Sequence, residues 1–127
     1  MELRQSAILP LTPAVDHSDY ESYFVKLSAG KAAIVTSATD LPFGVILDGE
    51  DTDGQDSIAV CGGNAGPCEV KLNGIVSKGA YLQLESDGTV ITDAETGARV
   101  LVGIALESGV AEEKIPAVLI TPIVYSA

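Results

Sequence analysis

The chain holds one histidine, His17, set between Asp16 and Ser18-Asp19, and two cysteines at the ends of the stretch CGGNAGPC, Cys61 and Cys68. An acidic run, DGEDTDGQD (48–56), adds Asp48, Glu50, Asp51, Asp53 and Asp56. Each pattern suggests a chemistry that its context then weakens. Nucleophilic catalysis needs a nucleophile and a base brought together by a rigid scaffold, whereas His17 has only its own chain neighbours. Zinc takes four ligands, usually with two to four residues between paired cysteines, and C-x6-C with a single histidine falls short. A redox pair would read C-x-x-C. The glycines of 62–66 are followed by Pro67 and a strand, so no helix N-terminus faces a phosphate there. The acidic run could in principle hold a hard cation. In an EF-hand frame with Gly54 at the sixth position, however, Gly49 and Val60 fall where ligands are needed. It reads first as a solvated turn. No catalytic residue, cofactor or firm metal site is expected.

Charge narrows the partners. There are 18 acidic and 7 basic residues, for a net charge of -11, and the basic ones are scattered. Phosphate neutralisation needs clustered Lys and Arg, so neither nucleic acid nor an anionic membrane is expected as a partner. No stretch approaches the apolar length of a membrane helix. The opening MELRQSAILPLTPAV is interrupted by Pro10 and Pro13 and does not read as a signal peptide, which suggests synthesis in the cytoplasm.

The elements are strands. SYFVKLS (22–28) alternates with period two, as do DSIAVC (56–61) and CEVKLNG (68–74). AAIVT (32–36), FGVILD (43–48), RVLVGIALE (99–107) and IPAVLITPIVY (115–125) are largely apolar runs. GAYLQLE (79–85) and TVIT (89–92) flank Ser86-Asp87-Gly88, a hairpin signal. Helical periodicity is confined to two short candidates, Asp16–Glu21 and Ala111–Lys114. The expected fold is all-β, a compact small barrel or sandwich with very little helix. Residues 1–18 read as an extended arm and 19–127 as one β domain. One internal echo is visible: FGVILDGEDTDGQDSIAVC (43–61) parallels VGIALESGVAEEKIPAVLI (102–120), one hairpin unit used twice.

The runs VKLNGIVSKGAYLQLESDGTVIT (70–92) and VLVGIALESGVAEEKIPAVLI (100–120) give the span Gly44 to Thr121 a family likeness. It resembles the small capsid decoration, or cement, proteins of tailed phages. The resemblance implies a β-tulip-like fold and a homotrimer at the local three-fold positions of an expanded capsid. It implies residence on the outer capsid surface of the virion, where the protein reinforces the shell against internal DNA pressure. The partner would be the major capsid protein, gripped by the arm through Leu3, Ile8, Leu9, Leu11 and Val15. Another β-rich virion part, such as a tail or head fibre, is the alternative, and a ligand- or calcium-binding β module stands behind it. The Cys61–Cys68 loop and the acidic loop depart from the family pattern. Were the strands on either side of CGGNAGPC a hairpin, the two cysteines would face each other. A disulfide there would close a loop worth roughly 2.5 kcal/mol.

Overall fold

Residues 8–63 and 65–126 are described by the computed structural model of the chain. Among them are ten strands and no α-helix, as the period-two patterning requires. The two short helical candidates form turns. The strands are β1 (Ile8–Leu11), β2 (Phe24–Ser28), β3 (Lys31–Ile34), β4 (Gly44–Asp48), β5 (Asp56–Val60), β6 (Pro67–Lys71), β7 (Tyr81–Leu84), β8 (Val90–Thr92), β9 (Arg99–Ala105) and β10 (Lys114–Tyr125). They make two antiparallel five-stranded sheets, ordered β1-β5-β4-β2-β3 and β6-β10-β9-β7-β8.

The two orders are one order. Adding five to each strand number of the first sheet gives the second, so the molecule is two topologically equivalent units in tandem. Loop hydrogen bonds repeat at matching positions. Ser22 N donates to Ile46 O at 2.7 Å and Gly79 N to Ala105 O at 2.8 Å. His17 N donates to Glu50 O at 2.9 Å and Val76 N to Gly109 O at 2.9 Å. Ser22 and Gly79 share a positive φ, 78° and 89°, which glycine adopts without strain and serine does not. The echo between 43–61 and 102–120 is thus the β4–β5 hairpin against the β9–β10 hairpin, with a period of about 59 residues. Its glycines have one cause. A Cβ on Gly44 would lie 2.3 Å from Ala59 O, and a Cβ on Gly103 would lie 2.8 Å from Val118 O, so in each hairpin the partner strand's carbonyl occupies that space.

Each sheet is also drawn round on itself. Ala32 N of β3 donates to Thr12 O at 2.9 Å and Ala14 N to Ala32 O at 2.8 Å, so the chain leaving β1 joins the opposite edge. In the second unit Asn73 N donates to Val90 O at 2.9 Å, and the chain leaving β6 joins β8 in the same way. The first unit encloses Val25, Ala32, Ile46 and Ile58, with Leu11, Ile34 and Phe43 packed against them. The second encloses Leu82, Leu84, Val90, Val102 and Ala117.

Neighbouring residues on a strand face opposite ways, so Phe24, Val45 and Ala59 point out of the first unit. They belong to the core of the second. The units are therefore joined head to tail: the outer face of one plugs the open end of the next. Phe24 N donates to Gly88 O at 2.8 Å across the joint, and Lys71 N to Ser22 O at 3.1 Å.

Residues 8–18, read from sequence as the inner part of an arm, lie on the first unit. β1 pairs with β5 from Ile8↔Ala59 to Leu11↔Asp56, and Pro13 bridges to Ala32. The chain between β5 and β6 is not a hairpin loop, because those strands belong to different sheets. CGGNAGPC is the crossover between the two units.

Candidate functional site

His17, which the sequence sets only among its own chain neighbours, is buried. The turn after Pro13 carries it under the 48–56 loop, where its Nδ1 lies 2.5 Å from Asp56 Oδ2. Both side chains have no exposed surface. Asp56 Oδ1 accepts the Glu50 backbone N–H at 2.9 Å. Gly49 is held so close that a Cβ there would be 2.0 Å from His17 O. Asp56 therefore does not belong to an acidic surface cluster. It is the acceptor that orders this loop from inside.

Asp48, Glu50, Asp51 and Asp53 are exposed and spread round the turn, with Asp51 Oδ1 taking the Asp53 N–H at 3.0 Å. Among the described residues no three His, Cys, Asp or Glu side chains gather closely enough to hold a metal ion. Cys61 and Cys68 are free thiols. Cys61 closes the first sheet, its N–H donating to Phe43 O at 3.0 Å. Cys68 lies on β6 opposite Ala117, its Sγ donating to Gly66 O at 3.4 Å. Burial, and secondarily the charge of a Cys68 thiolate nearby, push the Cys61 thiol up to about 12. Burial raises Cys68 too. Both thiols resist the ionised form that thiol chemistry requires.

What the chain presents instead is apolar sheet surface. The register aligns Pro67, Val118, Ile104 and Tyr81 in one row across β6, β10, β9 and β7. The row points outward, away from buried Ala117, Ala105 and Leu82. Tyr81 is 48% exposed and Val118 39%. Beside it, Ile123, Leu101, Gln83 and Ile91 form a second uncharged row, with Ile123 42% exposed. In a chain of net charge -11, these adjacent uncharged positions, with Leu101 covered at 4% exposure, make a distinct outer face. Sequence reading did not single out Tyr81, Ile104 or Val118. Their signal was there: RVLVGIALE and the β10 segment are apolar on both faces, so the strand has a second apolar face to cover.

A second apolar surface lies at the far end of the first unit, where Leu27, Leu41, Pro42 and Phe43 line an open groove. Of the residues expected to contact a capsid, Ile8 and Leu9 are exposed on β1 and Val15 is exposed on the segment after it. Leu11 is tucked against the first core. Leu3 lies outside the described residues.

No protein-family model matches the chain, and no curated protein matches it. Among solved structures, the crystal structure of the head fiber gp8.5 N base in bacteriophage phi29 is similar, with a TM-score of 0.58 and 16% identity, covering 88% of this chain and 92% of that one. At that identity the likeness is one of fold: this chain has the fold of a domain found at the base of a phage head fibre.

Proposed function

We propose that the chain is a structural component of a phage virion that docks on the outer surface of an expanded capsid. It does so as a homotrimer at local three-fold positions and stabilises the shell against internal DNA pressure. The observation that carries this reading is the uncharged, apolar outer face of the second sheet on an otherwise strongly acidic chain. Exposed apolar surface of this kind marks a protein contact. The fold likeness to a phage head fibre base supports the coarser part of this reading, a structural part of a phage virion, and the sequence resemblance to capsid decoration proteins is what points to the capsid surface.

The first unit offers the surface for the major capsid protein. Ile8, Leu9 and Val15 present apolar side chains beside the β1 edge. A single short strand contact is weak, because each ordered residue costs on the order of 1–2 kcal/mol. Three such contacts on one trimer gain from effective concentration and hold only where three sites are in register, as on an expanded lattice. The test is a double substitution, Ile8→Asp with Leu9→Asp. The variant should keep its melting temperature and lose capsid binding at least tenfold. Unchanged binding would remove β1 from the interface.

A second reading is favoured by the fold likeness itself: a base domain that seats a fibre on the head. Electron microscopy of labelled particles separates the two. A cement leaves flush density at the three-fold positions, and a fibre base carries a projecting stalk.

A further inference from the structure

We infer that free copies of this chain bind one another head to tail, the outer row of the second unit of one copy filling the open end of the first unit of the next. The argument rests on the joint already inside the chain. Residues Phe24, Val45 and Ala59 are 1%, 0% and 0% exposed because they plug the second unit. Their equivalents in the second unit are Tyr81, Ile104 and Val118, by register and topology. Of these, Tyr81 and Val118 are exposed and Ile104 is partly exposed.

The receiving end is also duplicated. In the joint, Phe24 meets the β7–β8 turn, where a Cβ on Gly88 would lie 2.9 Å from Phe24 O, and Leu84 is fully buried. The matching positions in the first unit are Gly30 and Leu27. Among the described residues a Cβ on Gly30 would meet nothing within 4 Å, and Leu27 is 51% exposed at the mouth of the Leu41–Phe43 groove. Among the described residues the chain therefore carries one satisfied plug-and-socket joint, one uncovered plug and one uncovered socket. Both surfaces are apolar, and the internal joint shows how the equivalent face and end of the two units fit together.

A head-to-tail contact of this kind is heterologous, and it closes into a ring when the rotation per copy allows. The occupant is a second copy of this chain, with Tyr81 taking the place of Phe24 and its N–H donating to Gly30 C=O of the next copy. The inference gives the copy-to-copy contact of the proposed homotrimer. It is tested without capsids, so it and the capsid reading can fail separately.

The experiment is sedimentation equilibrium on the full chain at about 0.1 mM, where a contact of micromolar strength is nearly saturated. Wild type should sediment as a closed oligomer. Tyr81→Lys and Leu27→Glu, both on exposed side chains, should each give monomers, with melting of the monomer fold checked by circular dichroism. The double variant Tyr81→Lys with Leu27→Glu should reassociate, because Lys and Glu then meet at every joint. A monomeric wild type, association that survives either single substitution, or a double variant as monomeric as the singles would overturn the inference.

Discussion

His17 Nδ1 sits 2.5 Å from Asp56 Oδ2 with both side chains fully buried, and the equivalent pair in the second unit is Val76 and Ile115. The same fold thus solves one position with a polar pair and the other with an apolar one. Among the described residues His17 Nε2 has no hydrogen-bond partner, so the polar solution is incompletely satisfied. Removing one partner leaves the other stranded. Asp56→Ala should cost about 3 kcal/mol in urea unfolding, whereas His17→Val with Asp56→Ile should recover part of that loss, the Glu50 N–H still lacking its Asp56 acceptor. A double variant as damaged as the single one would contradict the equivalence of the two units.

Gly44 and Gly103 should be intolerant in the same way. A Cβ at either enters the space of a backbone carbonyl, 2.3 Å from Ala59 O or 2.8 Å from Val118 O. Gly44→Ala should destabilise by about 3 kcal/mol or more and Gly103→Ala by somewhat less. Chemical denaturation of the two single variants gives the ranking. An unchanged midpoint for Gly44→Ala would contradict the close approach.

Acid should loosen the second unit from its Arg99 end. Burial by itself would raise the Asp93 carboxyl. The Arg99 Nε bond at 2.5 Å, the Glu95 N–H and the charge of Arg99 outweigh it and hold the group below its ordinary value of 3.8. A carboxyl depressed in the folded state adds stability above its unfolded value and loses it as pH falls through the folded value. Stability should therefore fall below about pH 4, less steeply in Asp93→Asn. A melting curve of that variant parallel to wild type across this window would remove Asp93 from the acid response. Asp40 beside Lys26, at 3.0 Å and also depressed, contributes in the same direction.

The two thiols should be slow. With Cys61 raised to about 12 and Cys68 raised by burial, little thiolate exists at neutral pH. An aromatic disulfide reagent should label neither in the folded protein at pH 7 within minutes and both at once in denaturant. Rapid labelling of folded protein would contradict the upward shift of both thiols.

Much of the fold was legible because period-two alternation and glycine-rich turns survive in a single sequence. The all-β class and the strands β2 to β10 follow from runs such as SYFVKLS and GAYLQLE, and Asp87-Gly88 marks the β7–β8 turn. β1 escaped because ILPL has no alternation and carries Pro10, which suits only a strand at a sheet edge. The duplication showed only in its one tight element, the glycine-opened hairpin. Elsewhere the units share shape and not residues, as with His17 and Val76. Sheet membership is a long-range property, so CGGNAGPC could not announce itself as a crossover rather than a hairpin loop. The apolar face was written in plain view in RVLVGIALE. Which of its two faces is covered depends on the other unit, and no local pattern encodes that.

Co-sedimentation of the purified chain with expanded and unexpanded capsids tests the central claim most directly. The account predicts saturable binding to expanded capsids, in copy numbers that are multiples of three per local three-fold site, and a rise in the capsid's disruption temperature. Absence of binding to expanded capsids, or equal binding to both forms with no gain in capsid stability, would contradict it.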